Sequence, residues 1–431
     1  MTTTPTTSMK DAVLSQLRDG EVVDFLAELC EIPSPTGHEL AAATFIRDRL
    51  VAIGVEARLQ QFDEERANVI GRLRGSGGGP TLMLNGHLDT SYTGDEPELT
   101  GPGYKNKAVF VGDDWLYCNG VHNMKNALAS YFGIVAAIKR SRIELSGDVV
   151  LAGVAGEIER APFGPFQGPE YQGFGMGTSY ALAHGVDADM CILGEPSMNR
   201  IGISNLGVNW VRLGTKGTMA HTQHAETATN AIYQMQKVMD RLRTWREEYR
   251  DRHAYDGVRP ACDITAIDGG WPWRVSRTPM FCDLFLCIRT TPGMRTTTVR
   301  REIDELVREL EAADPALKIE VEFYVSHQAS EISRDEPVVR AVHQNHRLVT
   351  GSEPEYQRRT AYMDSSALNE HGIPTVVYGA SGRTNNSTDQ RGWSPEEGEH
   401  IYLPDLSVGT RVVAGAVIDL CSSADPELLR G

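Results

Sequence analysis

The amino-acid sequence predicts an α/β protein that carries a smaller α+β module within its chain. Short apolar runs alternate with longer helical patterns, which is typical of an α/β fold. A chain of 431 residues is too long for one simple core, so two domains are expected. We predict a larger domain built from residues 1–206 and 326–431, with the module at 207–325 between them.

The strands of the larger domain are predicted from short apolar stretches. An antiparallel pair near a sheet edge is expected from "GVEARLQQF" and "ANVIGRLRG". Strands buried on both faces are expected from the continuous apolar runs of "PTLMLNGH", "GDVVLAGVAGE" and "ADMCILGEP". A helix is expected after Lys125, because Leu128, Phe132, Val135 and Ile138 form one stripe at helical spacing.

The module at 207–325 is predicted from a change in pattern. It contains two long helical stretches, "ATNAIYQMQKVMDRLRTWREEYRDR" and "TTVRREIDELVRELEAA", and two alternating strands, "DLFLCIR" and "LKIEVEFYV". Two helices with alternating strands indicate a compact α+β unit. The chain then returns to the larger domain and ends in a predicted helix, "DLSVGTRVVAGAVIDLC".

The composition excludes several classes of protein. A formal net charge of −16 disfavours nucleic acid and anionic membranes as partners. No apolar run approaches the roughly 18–20 residues that span a bilayer, and the polar start "MTTTPTTSMKDAV" predicts a cytoplasmic protein. The seven cysteines include no CxxC pair, which argues against a disulfide framework and a cysteine-based zinc site.

Polar residues follow three of the predicted buried strands. His87 and Asp89 come after the first, Glu157 after the second and Glu195 after the third. A His-x-Asp step lets the imidazole bind a metal while the carboxylate orients it, and a nearby Glu can act as a general base. Each residue alone is more often an ordinary surface or core residue. Their shared position at the carboxyl ends of strands predicts one site.

The order of motifs resembles a known family. The series "NGHLDT", "GVHNMKNALA", "GEIE", "LGEPS", "GTKGTMAHT", "CIRTTPG", "GIPTVVYGASG" and "SPEE" is similar to the co-catalytic metallopeptidases that include aminoacylases, carboxypeptidase G-type enzymes and succinyl-diaminopimelate desuccinylases. The resemblance implies a three-layer, mixed-sheet catalytic domain and an inserted lid or dimerisation domain. It also implies a small-molecule substrate and a homodimer or higher homo-oligomer.

The metal ligands implied by this resemblance are only partly present. In the family two metals share a bridging Asp, where this chain has Asn123. The two other ligands of one metal are replaced by Ile158 and Trp393, whereas His87 and Glu195 remain for the other. The resemblance therefore implies one divalent ion per chain, Mn²⁺ or Zn²⁺, held by His87, Glu195 and the amide oxygen of Asn123.

Two neighbouring residues are alternative ligands. His122 lies beside Asn123, and Glu159 lies two residues after Glu157, so a shift of register would bring either into the ligand set. Adjacent positions usually point in different directions, which favours the first assignment.

The resemblance also implies catalytic roles. Glu157 corresponds to the general base, Asp89 to the residue that orients the ligand His, and His221 to a lid residue that polarises the substrate carbonyl. A structural His in a turn is the alternative for His221.

Four residues are predicted to contact the substrate. Arg289 and Arg383 are candidate clamps for a substrate carboxylate, although a lid-stabilising ion pair is an equal alternative for Arg289. Ile158 and Trp393 are expected to make the pocket apolar. The loop "APFGPFQGPEYQGFGMGTSY" either adds an aromatic wall or is anchored to the domain by its aromatic side chains.

These observations predict a metal-dependent hydrolase of C–N bonds, acting on a small and carboxylate-bearing substrate. The family that the chain resembles includes an aminohydrolase of nitroanthranilate, and an apolar one-metal pocket suits that chemistry. The resemblance therefore implies, as the narrower expectation, release of ammonia from an activated arylamine. Hydrolysis of an N-acyl amino acid or peptide is the alternative. A non-catalytic binding module on the same fold is the alternative of another class, disfavoured because the general base and both remaining ligands are retained.

Overall fold

The computed structural model describes residues 5–357, 361–380 and 393–422, without the side chains of 5–7 and of Trp393. Arg383 and the side chain of Trp393, both predicted to contact substrate, therefore lie outside the described residues. Ten α-helices occur in this part of the chain: α1 Pro5–Leu14, α2 Asp19–Cys30, α3 Leu40–Ala52, α4 Asn126–Ser141, α5 Met176–Ala183, α6 Ala231–Arg252, α7 Thr296–Ala313, α8 Pro337–Thr350, α9 Ser365–Glu370 and α10 Leu403–Cys421.

The described residues also form strands of very different lengths. They are β1 Glu56–Asp63, β2 Arg66–Leu73, β3 Leu82–His87, β4 Val109–Val111, β5 Trp115–Tyr117, β6 Val149–Val154, β7 Met190–Leu193, β8 Ile201–Gly202, β9 Ser204–Asn205, β10 Gly207–Lys216, β11 Cys262–Gly269, β12 Phe281–Thr290, β13 Ile319–His327, β14 Ser330–Glu331, β15 Tyr356–Gln357, β16 Thr375–Val377, β17 Trp393–Ser394 and β18 Gly398–Tyr402.

The chain divides into two compact units. The first takes its described residues from Met1–Ile203, Ile332–Gln357 and Met363–Gly431, and the second from Ser204–Glu331 and Arg358–Tyr362. The sequence placed the boundaries at 206/207 and 325/326. The second unit is a few residues longer at each end, because β9 pairs with β14 and thereby joins the two connecting segments.

The first unit is built on an eight-stranded mixed sheet with the order β1-β2-β6-β3-β7-β16-β8-β15. The central strands β6, β3, β7 and β16 run parallel, whereas β1, β2 and β6 are paired antiparallel. The predicted edge hairpin is confirmed as β1 and β2, with β1 at the edge. All residues of β3, β6 and β7 are buried, as expected for parallel strands covered on both faces.

Helices cover both faces of this sheet. The position of Gly86 faces Leu128 of α4, and residues of α5 and α9 pack with Met83 on the other side of the same strand. The alternation of side chains along β3 thus separates two helical layers. The prediction of one apolar stripe on α4 was too narrow: residues 126–138 are all buried, because α1, α2 and α10 surround the helix.

The second unit is an antiparallel sheet with the order β11-β12-β10-β13, and α6 and α7 pack against it. Buried residues of the helices and strands form one apolar core, with Trp245 and Tyr249 among its larger members. β12 alternates strictly between buried and half-buried residues, so one face of the sheet meets the helices and the other does not. None of the helices in the described residues is long and apolar enough to cross a membrane.

Candidate metal centre at the strand ends

Three neighbouring parallel strands bring the predicted site residues together. β3 lies between β6 and β7, and His87, its last residue, pairs in register with Val154 at the end of β6. Glu157 follows β6, and Glu195 follows β7. Because parallel strands end at the same edge of the sheet, the three side chains converge there.

A glycine precedes each of the two glutamates, for a different reason in each case. Gly156, immediately before Glu157, has φ +68°, a left-handed conformation that other residues rarely adopt. Gly194, before Glu195, has no room for a side chain, because an added Cβ would lie 2.2 Å from the Cβ of Ala127.

Three oxygen atoms surround one nitrogen of His87. Its Nε2 lies 3.2 Å from Oδ1 of Asn123, 3.7 Å from Oε1 of Glu195 and 3.8 Å from Oε2 of Glu157. His87 is fully buried, and the two glutamates are nearly so. Oxygen and imidazole ligands of this kind suit Mn²⁺ and Zn²⁺.

The other nitrogen of His87 fixes the orientation of the ring. Nδ1 lies 2.9 Å from the main-chain oxygen of Asp89 and donates a hydrogen bond to it, which leaves Nε2 as the nitrogen that a metal ion could bind. The sequence predicted that the carboxylate of Asp89 would orient His87. That carboxylate is 3.5 Å from Nδ1 and instead accepts the main-chain N–H groups of Glu157 and Ile158 and the hydroxyl of Thr36. Asp89 therefore orients both the imidazole and the turn that carries Glu157.

The donor set fits a divalent cation. Among the described residues, His87, Glu157 and Glu195 form the one group of three or more His, Cys, Asp or Glu whose ligand atoms all lie within 4.8 Å. His122 and Glu159, the alternative ligands, are not members of this group. Buried carboxylates held this close together repel one another, and a cation would offset that repulsion.

The charges in the site shift its pKa values. Burial raises the pKa of Glu157 well above its usual range, and the charges of Glu195 and Asp364 raise it further. For His87, burial lowers the pKa, but the charges of Glu195, Asp89 and Asp364 outweigh burial and raise it overall. A Glu whose pKa is raised is better matched to proton transfer near neutral pH.

The turn that carries Asn123 is held by Glu399. Oε2 of Glu399 accepts the main-chain N–H groups of His122 at 3.0 Å and of Asn123 at 3.1 Å. Glu399 is almost fully buried on β18, and burial raises its pKa to about 7 although the two N–H groups favour the charged form. Lys125, at the end of the same turn, donates to the main-chain oxygens of Leu29 and Ile32.

Two carboxylates at the site, Asp364 and Glu399, were missed by the sequence interpretation. Asp364 lies within the stretch "YMDSSALNEHGIP", just before α9, and it is fully buried. A polar residue next to a predicted strand end was the signal used for His87 and Glu195. Neither Asp364 nor Glu399 follows such a strand, so only their burial reveals them.

The other predicted residues in the described part of the chain are His221, Arg289 and Ile158. His221 is exposed in the second unit, and its Nδ1 accepts the main-chain N–H of Gln223 at 3.2 Å. Arg289 is half-buried on β12, where its main-chain oxygen accepts the hydroxyl of Tyr249. Ile158 is half-buried beside Glu157 and offers no ligand atom from its side chain.

The aromatic loop after Glu157 is tied to the first unit. Arg66, fully buried and paired with Glu39 at 2.7 Å, donates to the main-chain oxygens of Pro169 and Gln172. Phe174 is buried, which favours the alternative that its side chain anchors the loop. Phe166 is 56% exposed, so its side chain contributes little to anchoring the loop.

Comparisons with known proteins agree with this architecture. The chain is 24% identical over 385 residues to the N-formyl-4-amino-5-aminomethyl-2-methylpyrimidine deformylase of Halalkalibacterium halodurans, covering 80% of this chain and 83% of that one. The structure resembles that of a tripeptidase from Staphylococcus aureus, with a TM-score of 0.72 and 16% identity over 95% of this chain and 100% of the other.

A dinuclear metal-binding peptidase from Bacillus subtilis has a similar structure, with a TM-score of 0.63 and 16% identity over 94% of this chain and 99% of the other. These likenesses confirm the predicted mixed-sheet fold. The model of peptidase family M20/M25/M40 matches residues 83–419, and the chain therefore belongs to that family of hydrolases.

Proposed function

We propose that the protein hydrolyses a C–N bond of a small substrate with a single divalent cation, held by His87 and Glu195 with the amide oxygen of Asn123. The observation that carries the proposal is the set of oxygens within 3.2–3.8 Å of Nε2 of His87, whose other nitrogen is fixed by Asp89. A bound divalent ion would lower the pKa of a water molecule and polarise the substrate carbonyl.

Glu157 is the proposed general base. Its Oε2 lies 3.8 Å from Nε2 of His87, and Asp89 holds its main chain in place. The carboxylate accepts a proton from the attacking water and passes it to the leaving nitrogen as the C–N bond breaks. His221 is assigned, by the family resemblance alone, to stabilise the negative charge on the former carbonyl oxygen.

The substrate class that we propose is an N-acyl or N-formyl amine. The relative from Halalkalibacterium halodurans is named as a deformylase of an N-formyl pyrimidine, which supports an amide of a small amine. Deamination of a nitroanthranilate stays a prediction from the sequence, and no contact among the described residues favours it. A protein that bound such molecules without catalysis would release no product from N-acyl amines or from arylamines.

The first test is elemental analysis of the purified protein, followed by a product screen with added Mn²⁺ or Zn²⁺. We expect one metal equivalent per chain and release of the acyl acid from N-formyl or N-acyl amines. Release of ammonia from arylamines alone would replace the proposed substrate class, and two metal equivalents would contradict the one-metal assignment. Absence of both metal and product would favour the binding module.

The second test is Glu157→Gln, which keeps the shape of the side chain but removes the base. We expect the rate of hydrolysis to fall about 10²–10⁴-fold with the metal content unchanged. Glu159→Gln is the matched variant, because Glu159 lies outside the ligand group, and it should retain activity. Loss of the metal together with activity would make Glu157 a ligand, and full activity would refute its role.

A further inference from the structure

Asp364 is held beside the metal centre by a single strong hydrogen bond. It is fully buried just before α9, and its Oδ2 accepts the hydroxyl of Thr178 on α5 at 2.6 Å. Thr178 in turn lies 3.4 Å from the side-chain amide of Asn85 on β3, two residues before His87. The carboxylate is therefore oriented by the same strand that carries the ligand His.

The second oxygen of Asp364 has no partner in the described part of the chain. Oδ1 is buried and makes no hydrogen bond, and no Lys or Arg of the described residues forms a salt bridge with the carboxylate. An unpaired carboxylate oxygen removed from water is costly unless a proton or a cation neutralises it. Glu399, the other carboxylate missed from the sequence, has two N–H donors and thus a structural reason for its position.

The charges that act on Asp364 are those of the metal centre. Burial raises the pKa of Asp364 to about 7, although the hydrogen bond from Thr178 lowers it. Of the charged neighbours, His87 lowers this pKa, whereas Glu195 and Asp89 raise it. Asp364 in turn raises the pKa values of His87 and Glu157. The Asp364 carboxylate is thus one of the charged groups that act on the residues that would hold the cation.

We propose that Asp364 is a further carboxylate of the metal site, supplying the negative charge that Asn123 does not. The proposed ligands His87, Glu195 and Asn123 would give a dication only one negative charge. Because Glu157 is assigned to proton transfer, Asp364 would add a second permanent negative charge near the ion. Asp364 is not part of the group whose ligand atoms lie within 4.8 Å, so the proposed action is through its charge rather than as a direct ligand. This inference rests on the metal ion of the proposed function.

The test is titration of the chelator-treated protein with Mn²⁺ alone, by calorimetry, in the wild type and in Asp364→Asn. The substitution keeps an acceptor for Thr178 but removes the charge, and we expect affinity to fall about 10–100-fold. Thr178→Val keeps the charge and should weaken binding less. Asp148→Asn is the control. Asp148 also accepts a hydrogen bond, from Arg72, but it lies just before β6, at the opposite end of that strand from Glu157.

Thermal unfolding of the same metal-free proteins separates this role from a structural one. Removal of an uncompensated buried charge should leave the melting temperature of Asp364→Asn equal to or above that of the wild type, whereas loss of a structural contact would lower it. Mn²⁺ should then raise the melting temperature of the wild type more than that of the variant. Should Asp364→Asn fail to fold, Asp364→Ser tests the same loss of charge.

An unchanged Mn²⁺ affinity in the Asn variant would overturn the role of Asp364 and leave the proposed function intact. A wild-type protein that binds no Mn²⁺ or Zn²⁺ would instead refute the proposed function, and this inference with it. Equal losses of affinity in Asp364→Asn and Asp148→Asn would also overturn the inference, since they would indicate a general effect of destabilisation.

Discussion

The charged residues of the two units are arranged in opposite ways. Along α6 and α7 of the second unit, Arg241 pairs with Glu309 at 2.8 Å, and Lys237 pairs with Asp314, just after α7, at 2.6 Å. All four side chains are at least partly exposed. Near the strand ends of the first unit, carboxylates are buried without a Lys or Arg partner among the described residues, as at Glu157, Asp364 and Glu399.

The pKa values reflect this difference. The hydrogen bond from Arg241 lowers the pKa of Glu309, whereas burial raises the pKa of Glu399 to about 7. Exposed pairs contribute little to stability, so their loss has only a small effect. Buried carboxylates without cationic partners reduce stability, so their accumulation around His87 indicates a functional site. The following substitutions and conditions test that contrast.

Among the changes that test this contrast, the largest effect is expected from Glu399→Ala. The substitution removes the acceptor of the N–H groups of His122 and Asn123, which frees the turn that places Oδ1 of Asn123 against His87. We expect Mn²⁺ affinity to fall about 10–100-fold, measured by calorimetric titration. Glu399→Gln retains an acceptor oxygen and should recover most of the affinity. Equal losses in both variants would show that the charge of Glu399 matters more than its hydrogen bonds.

A smaller effect is expected from pH in the metal-free protein. The pKa of both Asp364 and Glu399 is raised to about 7, far above that of an unfolded carboxyl, so the folded state binds protons that the unfolded state releases. The contribution of these two groups to the free energy of unfolding is therefore greatest below about pH 4 and is lost as the pH rises through 7. Each group loses up to about 1.4 kcal/mol per pH unit.

Thermal unfolding of the chelator-treated protein between pH 5 and pH 8 measures this dependence. The melting temperature should fall across the range, and Asp364→Asn should make the decline shallower. Added Mn²⁺ should restore stability near pH 8, because the cation neutralises the carboxylates in place of the protons. A melting temperature that rises with pH would contradict the assignment of these buried carboxylates.

The sequence predicted the parts of this site that depend on local pattern. His87, Glu157 and Glu195 were identified because each follows a buried strand, and parallel strands end together. Asp364 and Glu399 depend instead on contacts between distant parts of the chain, such as the 277 residues that separate His122 from Glu399. The orientation of His87 by a main-chain oxygen was missed for a related reason. The sequence identifies Asp89 but not which of the oxygen atoms of this residue contacts the imidazole.

The smallest effect is expected from the second unit, where Arg241→Ala removes the cation that bonds Glu309 and Glu248 on the helical surface. Water solvates the two carboxylates once the Arg is gone, so the melting temperature should fall by no more than a few degrees. High salt should reduce even that difference, because it screens exposed charges. Mn²⁺ affinity should equal that of the wild type in the same calorimetric titration. A marked loss of metal binding would show that this surface influences the strand-end site, and that its charge pairs cannot be judged by their exposure alone.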